Sequence, residues 1–228
     1  MTPARESPAA YRELLERLDR WFAEARARNP GVVPCGAGCS ACCHGPFDIS
    51  VADAELLVHA VRALPDAECR DVQARATALL ARIAAHLPGW RPPHAIADVG
   101  DAAFDAMGNA LAAEPCPLLG PDGACRIYAD RPFVCRLIGL GMVTPAGRII
   151  ENMCPIQDQF PVYRALPQMY FDLEGLEVDE LEAMQAAARR LLGTPAAVDY
   201  ETTIAAAIVD FTVDPPATPS PRGPTERR

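Results

Sequence analysis

Apolar residues recur at helical spacing along most of this chain. Between Ser7 and Arg28, Tyr11, Leu14, Leu15, Leu18, Trp21, Phe22 and Ala25 fall on one face, with Arg and Glu on the other. Ser7 can cap the first turn, and Pro8 suits a first helical position whose amide has no intrahelical partner. Asn29-Pro30-Gly31 stops the pattern, so a helix is predicted over 7–28.

A second helix is predicted from Ser50, with Asp53 as a weak capping-box cue and Leu56, Leu57, Ala60, Val61 and Leu64 on its buried face, ending at Pro65. A third carries Cys69, Val72, Ala76, Leu79, Leu80, Ile83 and Leu87 on one stripe up to Pro88-Gly89. Phe104, Met107 and Leu111 suggest a short helix, and residues 116–135 read as turns. The apolar run LIGLGMV, the turn TPAG and the run RIIEN predict one small β-hairpin. The segment 155–174 has aromatics but no clean period. Val178, Leu181, Met184, Ala188, Leu191 and Leu192 predict a helix closed by Gly193, and a last helix is predicted over about 199–211.

The fold class expected is mainly α: helices framing cysteine-rich metal-binding loops, with one small β-hairpin. The expected organisation is an N-terminal helix (1–30), a cysteine-cluster domain (31–160), a C-terminal helical extension (161–213) and a disordered tail (214–228), the last from its proline-rich polar composition.

Composition narrows the function classes. The 228 residues are half hydrophobic, carry a net charge of −9 and contain no lysine. An acidic chain without a basic stripe argues against electrostatic binding to nucleic acid or to a membrane surface. No apolar run approaches the roughly 18 residues of a membrane span, and the acidic N-terminus does not resemble a secretory signal. A cytoplasmic, reducing setting is therefore expected. There, clustered cysteines serve as metal ligands or redox centres more often than as disulfides.

Nine cysteines are the chemical anomaly. The first group is Cys35, Cys39, Cys42 and Cys43, followed at once by His44. Gaps of three and two residues let a loop turn its thiolates toward one point. A C-x3-C-x2-C run can hold three irons of a 4Fe–4S cluster with a fourth ligand elsewhere, and zinc also uses short gaps of this kind. The spacing leaves the metal open. The second group is Cys116, Cys125, Cys135 and Cys154, separated by turns or a hairpin that could return the chain to one place. All eight are candidate metal ligands, assembled from distant loops so that metal binding would contribute to folding. Adjacent Cys42 and Cys43 are expected to serve different metals, or one of them to be a free thiol.

Cys69 is read as a small core residue. His44 is a minor candidate ligand, and His59, His86 and His94 are read as structural or exposed. Arg126, Arg131 and Arg136 have two readings: offsetting thiolate charge, or pairing with a neighbour such as Asp130. No catalytic triad order, phosphate loop or dinucleotide fingerprint is present.

Taken together, the Cys35-x3-Cys39-x2-Cys42-Cys43 run, Cys116-Pro-Leu-Leu, Gly123-x-Cys125-Arg-Ile-Tyr128, Arg131-Pro132-x-x-Cys135-Arg136 and Cys154-Pro155 resemble the YkgJ-type cysteine-cluster proteins over about residues 35–155. The resemblance implies a zinc- or iron-chelating domain. It also implies a link to flagellin lysine N-methylases, hence an alternative as a cluster-dependent enzyme modifying a protein side chain. A third reading is a redox or metal-transfer module acting on a protein partner. The C-x3-C-x2-C run also matches radical S-adenosylmethionine enzymes, but Ala41 stands where those carry an aromatic, and the surroundings read as helix instead of a strand–helix barrel. S-adenosylmethionine is accordingly the minor cofactor candidate beside an iron–sulfur cluster or zinc.

Overall fold

The computed structural model describes residues 7–36 and 38–212. Its main helices are α1 (Pro8–Arg28), α2 (Val51–Arg62), α3 (Asp66–His86), α4 (Asp101–Ala110), α7 (Leu173–Leu192) and α8 (Ile204–Thr212), with short α5 (Phe133–Leu137) and α6 (Pro161–Arg164) between them. The fold is mainly α, with two small sheets among the described residues. The tail expected to be disordered lies outside those residues.

The start signals operate as the sequence predicts. The Ser7 hydroxyl accepts from the Ala10 amide at 3.2 Å, and the Ser50 hydroxyl accepts from Asp53 at 3.1 Å. Gly193 closes α7 in the left-handed region, at φ 75°, where a side chain would be strained.

Helix α2 is the centre of the frame, packing against α1, α7 and α8, while α8 in turn packs against α3. Its face is therefore not a stripe: every residue from Val51 to Val61 is buried except His59. Three neighbours cover one short helix, which is why Asp53 and Glu55 are buried too and need partners. Glu55 takes Arg190 of α7, with Nη2 at 2.6 Å.

Asp53 belongs to a buried polar cluster. The Tyr11 hydroxyl lies 3.1 Å from Asp53 Oδ1 and 2.7 Å from Glu180 Oε1. One hydroxyl proton cannot serve both carboxylates, so full pairing requires a second proton on a carboxyl group. Burial drives the same result, raising Asp53 to about 6 and Glu180 to about 7.

Two expectations are corrected at the ends of the chain's helical frame. Residues 201–203 form a strand, β5 (Glu201–Thr203), instead of the first turn of the last helix. It pairs antiparallel with β1 (Asp48–Ser50), where the sequence predicts no strand, with Ile49 opposite Thr202. Both strands run directly into helices, and the Thr203 hydroxyl accepts from Ala206 at 3.1 Å as a cap for α8. Three-residue strands are too short to show alternation, and pairing between distant segments supplies the order. The predicted hairpin is present as β2 (Met142–Val143) and β3 (Ile149–Ile150), and β4 (Met169–Tyr170) joins β2 in parallel.

The buried apolar residues form separate clusters. The largest lies among α2, α3, α4 and α8 and includes Cys116. A smaller one joins Ala25, Val33, Leu140, Cys154 and Tyr163, with Cys35 packed against it. Cysteines of both groups thus lie in or against these clusters, Cys43, Cys116 and Cys125 at the first and Cys35 and Cys154 at the second.

Candidate metal centre

Four segments bring their cysteines together. The first is the loop between α1 and β1, in which two tight turns (Cys39 N to Gly36 O, 3.0 Å; Cys43 N to Ser40 O, 2.9 Å) coil the chain through Cys35, Cys39, Cys42 and Cys43. The second is the turn-rich stretch after α4. Cys116 N donates to Cys43 O at 2.9 Å and Gly45 N to Glu114 O at 2.7 Å, so the two segments run as a short antiparallel ladder.

Past Cys116 the chain doubles back. Gly120 N donates to Ala124 O at 2.7 Å and Arg126 N to Leu118 O at 3.0 Å, which sets Cys125 opposite Leu119. Arg75 of α3 holds this turn from outside by donating to the carbonyls of Leu119 and Cys116. Cys135 is on α5, whose first amide, that of Phe133, donates to Asp53 Oδ1 at 2.9 Å. The buried carboxylate cluster thus positions the helix that carries Cys135.

Seven cysteines (Cys35, Cys39, Cys42, Cys43, Cys116, Cys125 and Cys135) line one cavity of about 80 Å³. That is more room than one water molecule occupies. Phe22, Phe47, Leu118, Ile138 and Ile204 give it an apolar wall. The eighth candidate, Cys154, is 4% exposed and sits in the cluster against which Cys35 packs. Gly139 accounts for the close approach there: its φ is 120°, and a Cβ would meet Cys35 Sγ and the Phe22 ring at 3.1 Å. The Tyr163 hydroxyl donates to the Gly139 carbonyl and fixes that turn.

Two arginines at the cavity have defined partners. Arg136 is only 2% exposed; it donates to Asp19 and to the carbonyls of Arg131 and Ala129. Arg131 bonds Asp19 at 2.5 Å and lies 4.3 Å over the Tyr128 ring. The expected pairing with Asp130 is corrected: Asp130 takes Arg12, and Arg126 takes Asp71. Helix α1 supplies Asp19 from far away in the sequence, so spacing could not show it. Arg131 favours the thiolate forms of Cys35, Cys42 and Cys125.

Burial pushes several of these thiols toward their protonated forms. Burial, then the charge of Cys39 and Cys42, pushes Cys35 up to about 11, and burial takes Cys116 to about 12. The Cys42 thiol is raised by its hydrogen bond with Cys43 and by burial, and burial raises Cys125 and Cys135 as well. All nine cysteines are free thiols. Among the described residues, no three Cys, His, Asp or Glu side chains already stand as a closed metal-holding group. The donors nonetheless fit a thiophilic metal in kind and number, gathered around a common space with arginine charge beside them. A cation entering that space would exchange for thiol protons.

The remaining candidates separate from the cavity. His44 is exposed, its backbone bridging to Pro115. Cys69 is half-buried and packs on the largest apolar cluster, in agreement with a core role. His94 is buried and pairs with Asp210 at 2.7 Å.

The same segments define the family. The model of the CxxCxxCC family, described as a domain proposed to chelate zinc or iron, matches residues 34–155, more than half of the chain. The chain belongs to the CxxCxxCC family. No curated protein and no solved structure matches it. The CxxCxxCC match begins just before Cys35 and ends just after Cys154, so it encloses all eight candidate cysteines and excludes α1, α7 and α8 entirely. Asp19 lies outside that span, although Arg131 and Arg136 lie within it.

Proposed function

We propose that this protein binds zinc or iron through Cys35, Cys39, Cys42, Cys43, Cys116, Cys125, Cys135 and Cys154. The observation that carries the reading is the single cavity lined by seven of these thiols, drawn from four separated segments. Iron held as an iron–sulfur cluster is the finer reading, supported by the C-x3-C-x2-C run at Cys35, Cys39 and Cys42. A bound metal would supply structural closure of the loops and, if iron, electron exchange. The chain's own residues provide the rest: apolar walls exclude water, Arg131 and Arg136 offset thiolate charge, and Asp19 fixes both guanidinium groups. A reducing compartment, as in the cytoplasm, suits a site of free thiols. No helix among the described residues is long and apolar enough to cross a membrane.

Anaerobic purification with metal and sulfide analysis tests the proposal. Iron with acid-labile sulfide and a broad visible absorbance is the expected result; colourless protein with stoichiometric zinc supports binding but replaces the iron reading. Less than about half an equivalent of any transition metal after reconstitution overturns it, because a site that closes the fold should be filled.

A further inference from the structure

The eight thiols are not equivalent in their surroundings. Cys43, Cys116 and Cys125 share one backbone assembly: the bond from Cys116 N to Cys43 O joins the first two, and the turn bridging Leu119 to Cys125 returns the third. All three also belong to or pack on the largest apolar cluster. Cys135 enters on α5 and is within electrostatic reach of Cys116 and Cys125. Cys35 and Cys154 instead share the cluster around Tyr163, and Cys35 is in electrostatic reach of Cys39, Cys42 and Cys154.

Cys42 is the boundary thiol. It hydrogen-bonds Cys43 and also lies within reach of Cys116 and Cys135, as well as of Cys35. Cys43 is already committed by its main chain and packing to the Cys116 side. The Cys35 side has three donors of its own, Cys35, Cys39 and Cys154, and Cys42, within reach of Cys35, supplies the fourth.

Resting on the metal-binding reading above, we infer that the eight cysteines form two four-thiol centres with separate occupancy. Cys35, Cys39, Cys42 and Cys154 make one; Cys43, Cys116, Cys125 and Cys135 make the other. Each then has the complete tetrathiolate set that zinc or an iron centre takes. Cys154 becomes the distant fourth ligand of the C-x3-C-x2-C run. Both centres bind thiophilic metal with release of thiol protons, and the Cys42–Cys43 peptide links them.

The test uses the intact wild-type chain, stripped of metal under anaerobic reducing conditions and loaded with cadmium. Proton–cadmium correlation NMR should give two cadmium signals. One should correlate with the β-protons of Cys35, Cys39, Cys42 and Cys154, and the other with those of Cys43, Cys116, Cys125 and Cys135. Cobalt titration adds a count: two equivalents with thiolate charge-transfer absorbance for wild type, one for Cys42→Ser/Cys154→Ser, and none for Cys42→Ser/Cys125→Ser. A single cadmium signal, or one cadmium correlated with both Cys154 and Cys125, overturns the partition and leaves metal binding standing. A chain that takes up no cadmium overturns the metal-binding reading itself. The NMR arm needs no substitution, so a variant that fails to fold does not blunt the test.

Discussion

The amide of Cys116 donates to the carbonyl of Cys43 at 2.9 Å, tying the loop before β1 to the turns after α4 by backbone alone. The contact depends on no side chain. It therefore holds two cysteine segments together before any metal is present and orders the approach of Cys125 behind them.

Metal removal should nevertheless loosen the molecule. Four segments converge on the cavity, and their buried thiols otherwise keep protons instead of sharing a cation. Chelation under reducing anaerobic conditions is expected to lower the unfolding free energy by about 2.7 kcal/mol for each centre emptied, relative to free metal at a hundredfold excess over Kd. Differential scanning calorimetry of matched loaded and stripped samples measures it; coincident melting curves contradict it.

Cys69 and Cys116 should part company. Cys69→Ser removes a half-buried thiol packed on apolar side chains and should leave metal content unchanged, with a stability cost of about 1 kcal/mol or less. Cys116→Ser, at the cavity, should reduce bound metal. Elemental analysis of the two variants, purified side by side, decides the matter.

Gly139→Ala forces a side chain into positive φ and against Cys35 Sγ and the Phe22 ring. The expected cost is about 1–3 kcal/mol, read from chemical denaturation, together with easier loss of metal to a chelator. Retention of wild-type stability would show that the turn can move away from Cys35.

Arg136→Met removes a buried guanidinium that serves Asp19 and two carbonyls. Asp19 retains Arg131 but the carbonyls lose their donor, so a loss of about 3 kcal/mol is expected in the urea midpoint analysis. Lysine should rescue little, because one ammonium cannot span the carboxylate and both carbonyls in the guanidinium's geometry.

Glu180 gives a pH signature. Burial raises its carboxyl from 4.5 to about 7, the Asp53 charge adds to the rise, and the Tyr11 hydrogen bond offsets part of it. The folded chain thus binds this proton more tightly than the unfolded chain does. The resulting stabilisation is complete below pH about 4.5 and is lost as pH rises through about 7. Glu180→Gln should therefore be more stable than wild type at pH 8, by about 3 kcal/mol, and similar to it near pH 4. Parallel unfolding curves at the two pH values check the sign.

How much of this was legible beforehand differs from element to element. Ser7, Ser50 and Gly193 act locally, so the ends they set for α1, α2 and α7 could be read from spacing and cap chemistry alone. The eight cysteines stood out by residue type and interval, as did Cys69 by its place on an apolar stripe. The strands at 48–50 and 201–203 could not be read, since their order comes only from pairing with each other across most of the chain.

The sequence by itself determined the helical frame, the family pattern over 34–155 and the chemistry of the donors, because capping, periodicity and thiol reactivity are properties of neighbouring residues. Only the tertiary structure decided which cysteines face one another, that Asp19 of α1 holds Arg131 and Arg136, and that Tyr11, Asp53 and Glu180 meet in one buried hydrogen-bonded cluster. Those relationships join residues far apart in the chain. They arise when helices pack and force buried charges and thiols to find partners where water is excluded.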